Sequence, residues 1–272
     1  SPVKLILTVI AFFYLYISQQ IMLECYANQL IPSPGYIWEK HGVNIITQSV
    51  YRVNAAERSD SGNYTCSVMG YGGPSTPVQV DVLYPPIVST PSTFLVIEST
   101  DLTLQCTAAA NPGNNNYRWT GPGGLDYTGS NLTISNIGKD KSGVYTCTAT
   151  NIMIPSTGSQ ETGRGTSTTT VTVLYGPTVT ISPYDITTIL ENTDHKLTCT
   201  VQSNPVPTTF TWYLPNGTSI PGDRELVISK KDQSGIYRCE ANTTLVPTDG
   251  SSTTISDSTT INITVLCKYN SI

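Results

Sequence analysis

Hydrophobic and polar positions alternate along most of the chain. In LTLQC, Leu102, Leu104 and Cys106 alternate with Thr103 and Gln105. The same two-residue period runs through LTISNI, GVYTCTA and TTTVTV. Successive side chains of a strand point to opposite faces, so this pattern predicts half-buried strands. Turn-forming strings such as NPGNNN and PNGT separate them. Short strands at regular spacing, with no helical period between them, predict an all-β sandwich architecture.

The opening segment, SPVKLILTVIAFFYLYISQQ, departs from this pattern. From Leu5 to Ile17 only Thr8 interrupts an apolar run. The run is shorter than the roughly 20 residues of a membrane-spanning helix. A secretion signal, whose apolar core is about 7–15 residues, is one reading. Cleavage after Ser18 would leave six residues before Cys25, and no small-x-small site precedes it. The other reading is strand. SPVKLILTV is similar to TPVQVDVLY at 76–84, and Phe13 stands level with Phe94 when both are counted back from the next cysteine. We read the segment as strand. Its first part matches the tail of a preceding unit, with residues 2–9 serving as the first strand of the unit that follows. The chain is then expected to be a piece of a longer array.

The cysteines reveal a repeat. They stand at 25, 66, 106, 147, 199, 239 and 267, and the first six form pairs 41, 41 and 40 residues apart. A tryptophan follows the first cysteine of each pair by 13 positions, at Trp38, Trp119 and Trp212. A tyrosine precedes the second by two, at Tyr64, Tyr145 and Tyr237. The strings DSGNYTC, DKSGVYTC and DQSGIYRC recur in register, which marks an internal repeat of about 90 residues. The expected units are residues 1–84 with an atypical or truncated leading edge, 85–175 and 176–267, followed by a tail at 268–272. The third unit lacks two residues between Ile228 and Gly235, which should tighten one loop.

The combination C…W…DxSGxYxC resembles the immunoglobulin superfamily over nearly the whole chain. VLYGP, SNPVPTTFTWYLPNG and LVISKKDQSGIYRCEAN resemble the carcinoembryonic-antigen-related cell adhesion molecules and hemicentin-like proteins. The resemblance implies three tandem immunoglobulin-like β-sandwiches of the C2 or short I type, with no room for the extra central strands of variable-type domains. It implies disulfides Cys25–Cys66, Cys106–Cys147 and Cys199–Cys239, core tryptophans at 38, 119 and 212, and tyrosine corners at 64, 145 and 237. Three disulfides imply an oxidising compartment, hence an extracellular or cell-surface location. The junctions VLYPP (82–86) and VLYGP (173–177) contain proline and no Gly/Ser linker, so a semi-rigid rod is expected.

Composition narrows the function. The 272 residues carry a net charge of −5 and only 12% charged residues, which argues against nucleic acid and against a polybasic membrane contact. A membrane enters only through a segment outside this chain. His41 and His195 fall in different units and read as surface imidazoles. GYGG (70–73) and GPGG (121–124) read as turns, and TGRGT (162–166) lacks the aspartate of an integrin-type tripeptide. No catalytic or metal-ligating constellation is present in the sequence, so neither enzyme activity nor a cofactor is expected.

Recognition features remain. Sequons occur at Asn63, Asn131, Asn216, Asn242 and Asn262. From the second cysteine to the last strand's valine there are 26 residues in units two and three and 16 in unit one. The inserts at 151–170 and 242–260 have two readings, a binding loop or a longer hairpin packed on the neighbouring unit. Ile152, Met153 and Ile154 are the candidate contact residues, because three consecutive apolar side chains cannot all face a strand's core. Cys267 is left unpaired and replaces the tyrosine of Tyr84 and Tyr175. It reads either as an intermolecular disulfide or as part of a misread boundary. The expected function is extracellular adhesion or recognition by non-catalytic contact with a protein partner, homophilic or heterophilic. The alternatives are a structural, matrix-type spacer array and an immune receptor ectodomain or secreted recognition factor.

Overall fold

A computed structural model describes residues 5–8 (backbone), 14–27, 34–70, 73–113, 115–207 and 209–267. Phe13, the middle of GYGG and the tail 268–272 lie outside them. Among the described residues every extended element is a strand, the helical elements are single 3-10 turns, and no helix is long and apolar enough to cross a membrane.

Unit one pairs β1 (Leu5–Thr8), β3 (Ile21–Ala27) and β6 (Val50–Val53) in one sheet. Facing it are β2 (Tyr14–Tyr16), β4 (Tyr36–Lys40), β5 (Val43–Ile46), β7 (Gly62–Val68) and β8 (Val78–Ser89). In the opening segment the described stretches Leu5–Thr8 and Tyr14–Tyr16 are therefore strand. The partner of the first stretch decides between tail and first strand: Leu5 to Thr8 pair antiparallel with Ala27 to Glu24, on the strand of Cys25. Then β2 crosses to the other sheet and pairs parallel with β8. Alternation alone could not separate the two, because it reads the same in the first and last strands of a sandwich.

Units two and three repeat the plan. Unit two has β9 (Thr93–Ile97), β10 (Leu102–Gln105), β11 (Thr107–Asn111), β12 (Asn116–Gly121), β13 (Leu125–Thr128), β14 (Asn131–Ile134), β15 (Gly143–Met153) and β16 (Glu161–Ser182). Unit three has β17 (Thr188–Leu190), β18 (His195–Asn204), β19 (Thr209–Tyr213), β20 (Ser219–Pro221), β21 (Glu225–Ile228), β22 (Gly235–Leu245) and β23 (Thr253–Leu266). In each unit one strand (β5, β13 or β20) follows the tryptophan strand and pairs with it alone among the described residues.

The recurring motif fixes each core. Cys25–Cys66, Cys106–Cys147 and Cys199–Cys239 are bonded across the two sheets. Trp38, Trp119 and Trp212 are fully buried beside them. The tyrosine hydroxyls donate to the carbonyls four residues earlier: Tyr64 to Asp60 (2.8 Å), Tyr145 to Lys141 (2.8 Å) and Tyr237 to Gln233 (2.5 Å). Burial raises the pKa of all three phenols, so they remain donors across the physiological range. The motif serine has its own task. Ser61, Ser142 and Ser234 Oγ accept the amide hydrogens of Val82, Val173 and Val265 at 2.9, 3.0 and 2.9 Å. The glycine after it holds φ of 151, 146 or 140°, a region that side chains disfavour. SGxYxC is thus a corner in which the serine, glycine, tyrosine and cysteine each satisfy a hydrogen-bonding, steric or covalent demand.

The third unit's shorter loop also shows in its core. Unit two buries Ile137 in this loop, and its amide and carbonyl bond to Thr100 and Ser99. Unit three, lacking two residues, closes the corner with Gln233, whose side chain accepts from the Ser229 and Lys230 amides.

Candidate functional site: the joints and the faces they leave open

The last strand of each of the first two units does not stop at the unit's edge. The strand β8 pairs with β7 in unit one, then continues past Tyr84 to pair with β11 of unit two. Likewise β16 pairs with β15 and β9, then passes Tyr175 to pair with β18 of unit three. One backbone thus belongs to two sandwiches.

Three further contacts recur at equivalent positions of both joints. Asn111 Nδ2 donates to the Val82 carbonyl at 2.9 Å, and Asn204 Nδ2 to the Val173 carbonyl at 2.9 Å. Each asparagine precedes a proline and reaches back to the previous unit. Asn111 also donates to Asp81 Oδ1 at 2.6 Å. A cation caps each joint tyrosine: the Arg58 guanidinium lies 4.4 Å from the Tyr84 ring centroid and Lys139 Nζ 4.0 Å from that of Tyr175. Such contacts contribute about 0.5–1 kcal/mol at exposed sites.

The third contact involves the long hairpins. The tip Ile154–Pro155–Ser156–Thr157–Gly158–Ser159 folds back on β2 of unit one. The Ser156 amide donates to the Tyr14 carbonyl (2.9 Å) and the Tyr14 amide donates to Ser156 Oγ (2.9 Å). Tyr16 Oη donates to the Ser159 carbonyl at 2.8 Å. The tip Val246–Pro247–Thr248–Asp249–Gly250–Ser251 does the same to β9 of unit two. Thr248 N donates to Leu95 O (2.8 Å), and Leu95 N to Thr248 Oγ1 (2.7 Å). Each tip satisfies the amide and carbonyl of an otherwise open sheet edge. Unit one is ten residues shorter in this hairpin.

The packing beneath the hairpins is matched in size. At the first joint, Gly163 lies where an added Cβ would stand 2.8 Å from Pro85 Cα and 2.2 Å from Asn151 Oδ1. At the second, Ile255 holds the place of Gly163 by register, and Gly176 the place of Pro85. The Ile255 Cγ2 is 2.8 Å from where a Cβ on Gly176 would be. Large on small has been exchanged for small on large. This accounts for both VLYPP with TGRGT and VLYGP with TISDS, as steric pairs.

The candidate contact residues divide. Met153 is buried, whereas Ile152 and Ile154 are 44% and 62% exposed. With Tyr14, Leu83, Pro112 and Pro155 they line a notch of about 620 Å³ at the first joint. The hairpin tip beside them is engaged with unit one. A second open surface is the outer face of β12, β15 and β16 in unit two. Asn116, Arg118, Thr120, Thr146, Thr148, Thr150 and Arg164 border a shallow hollow of about 460 Å³ there. Arg118 pairs bidentately with Asp126, and that hydrogen bonding holds the carboxyl below its usual range. Among the described residues Arg164 makes no ion pair.

The other sequence-singled residues fall outside the joints. Asn63, Asn131, Asn216 and Asn262 are exposed, and Asn242 is half-buried with its Nδ2 3.1 Å from Thr209 Oγ1. His41 is exposed and His195 half-buried, in different units. Cys267 is exposed and free, and a hydrogen bond with its sulfur raises the pKa of Lys231. Among the described residues no group of three or more His, Cys, Asp or Glu could hold a metal ion. Sequence reading missed Asn111, Asn204, Arg58 and Lys139, whereas the tips lie in the inserts for which a hairpin packed on the neighbouring unit was one of the two readings. The signals were present as two Asn-Pro pairs and the paired strings IPSTGS and VPTDGS.

Two-sheet units with a disulfide, a buried tryptophan and a tyrosine corner, joined through shared strands, define an immunoglobulin-type tandem protein. The profile of the immunoglobulin domain family matches residues 85–151 and 176–243, and a second immunoglobulin domain profile matches residues 4–82. The chain belongs to the immunoglobulin superfamily. Among its relatives, hemicentin-1 of Homo sapiens is 30% identical over 252 residues, covering 83% of this chain and 4% of hemicentin-1. Protein borderless of Drosophila melanogaster is 30% identical over 157 residues, covering 49% of this chain and 22% of that protein. Netrin receptor DCC of Homo sapiens is 27% identical over 242 residues, covering 79% and 16%. The chain spans a small part of the length of each. A solved chain from the complex of Dpr2 Ig1-Ig2 with DIP-Theta Ig1-Ig3 is 18% identical, with a TM-score of 0.46, and covers 98% of this chain and 100% of that one.

Proposed function

We propose that this chain is part of an extracellular or cell-surface adhesion and recognition protein that acts by non-catalytic contact with a protein partner. One observation carries the reading. The long hairpins engage the neighbouring unit, which leaves the broad outer sheet faces, such as the threonine- and arginine-lined face of unit two, as the surfaces open to a partner. Modest faces repeated along an array gain strength through multivalency. The three disulfides fit an oxidising compartment. The relationship to a receptor such as DCC is in keeping with this.

Beads or cells displaying the multimerised chain are expected to cluster, either with one another or with cells bearing a heterophilic partner. An Arg164→Glu variant should weaken that clustering. Absence of clustering in every multimerised format would contradict adhesion. The docked hairpins also favour a second reading, a spacer array, which predicts the absence of clustering together with fixed joints. The exposed sequons lead to a further expectation. The intact mass of protein from a eukaryotic host should fall on glycosidase treatment, and Asn242→Gln should alter the glycan mass least. An unchanged mass would remove glycosylation from the account.

A further inference from the structure

The two joints have polarity. The preceding unit offers the open edge of its parallel strand (Tyr14 or Leu95), a valine carbonyl (Val82 or Val173) and a cation near the joint (Arg58 or Lys139). The following unit supplies an Asn-Pro asparagine and a Pro-Ser/Thr-x-Gly-Ser tip. Units two and three carry the supplying half. Unit three also carries the receiving half. The strand β17 pairs parallel with β23, with Thr188 opposite Thr264. The Thr264 amide donates to Thr187 O and the Glu191 amide to Leu266 O, at 2.8 and 2.9 Å. In a parallel ladder alternate residues bond to one neighbour, so the amide and carbonyl of Thr188 and Leu190 point to the free side. Thr188 stands at the register position of Tyr14 and Leu95 relative to the last strand of its unit. Val265 matches Val82 and Val173, Lys231 matches Arg58 and Lys139, and Leu190 is 49% exposed.

We infer that the edge of β17, with the Val265 carbonyl and Lys231, is a joint socket for an immunoglobulin-type unit fused directly behind unit three that bears an Asn-Pro asparagine and a Pro-Ser/Thr-x-Gly-Ser hairpin tip. A second copy of this chain does not fit the socket, because both of its tips are engaged within the copy and the corresponding hairpin of its unit one lacks the Pro-Ser/Thr-x-Gly-Ser string. The interface is heterologous, the kind that extends as an open series rather than closing on itself. An open edge of this type takes a partner through main-chain hydrogen bonds. The inference rests on joint geometry and is independent of what the outer faces bind.

Amide hydrogen exchange of the full chain provides the internal reference. Tyr14 and Leu95 should exchange slowly and Thr188 fast, and Thr248→Val should speed Leu95 about tenfold. The test compares this chain with one in which residues 1–266 are followed by a second copy of 175–267. The Thr188 amide is expected to slow at least about tenfold in the extended chain. Thr→Val at the appended copy's equivalent of Thr248 should reverse that slowing while the appended core stays protected. Equal Thr188 exchange with and without a folded appended unit would overturn the socket. Slowing of Thr188 in the unextended chain with rising concentration would overturn it too, by assigning the edge to a second copy.

Discussion

Replacing Trp212 with alanine is expected to lower the stability of unit three by about 3–5 kcal/mol, through the cavity left behind. The indole is fully buried against Cys199–Cys239 and the aliphatic core of its unit. Its Nε1 has no hydrogen-bond partner among the described residues, so the loss is one of packing alone. Trp119 differs, because its Nε1 donates to the Ser130 carbonyl at 3.2 Å. Trp119→Phe should therefore cost more than Trp212→Phe. Urea titration, followed by amide exchange at Leu197 and Ile263, isolates unit three from its neighbours. A loss under about 1 kcal/mol for Trp212→Ala would mean that this indole is not part of a close-packed core.

Introducing isoleucine at Gly163 is expected to destabilise the first joint and unit two by about 1–3 kcal/mol. The new side chain would meet both the Pro85 backbone and Asn151 Oδ1. Asn151 cannot easily yield, since it is buried and its Nδ2 donates to the Tyr84 and Pro112 carbonyls, each at 3.1 Å. The second joint shows how the isoleucine is accommodated, with Gly176 and Thr243 in the facing positions. Pro85→Gly and Asn151→Thr added to Gly163→Ile should therefore recover much of the loss. The recovery should exceed what the two changes do to the parent, a coupling of about 0.5–3 kcal/mol. Additive effects in a denaturant cycle would show that the two joints do not share one packing scheme.

The cores were readable because their constraints are local. In DxSGxYxC, the serine, glycine and tyrosine all act within one corner, so their spacing is the same wherever the corner recurs. The all-β class followed from alternation for the same reason. The joints were not readable in this way. An Asn-Pro pair looks like a turn whether or not its amide reaches another unit. Ile152, Met153 and Ile154 were identified as unable all to face a core, but the pattern did not show which of them is buried or that residues 154–159 dock on the Tyr14 edge. Such an edge exposes only backbone groups, which leave no mark on side-chain periodicity. Even Gly163 and Gly165, noted in TGRGT, gained a meaning only once Pro85 and Pro86 were placed against them.

Neighbouring domains in one chain move relative to each other unless their interface restrains them. Shared strands, reaching asparagines and docked tips are restraints of that kind. The direct test is small-angle X-ray scattering of the full chain beside a variant whose tips, 154–159 and 246–251, are each replaced by a two-residue turn. Pinned joints predict that one arrangement of the three units fits the parent's pair-distance distribution, and that the variant's distribution broadens while its disulfides and cores stay intact. A parent distribution already as broad as the variant's would contradict pinned joints.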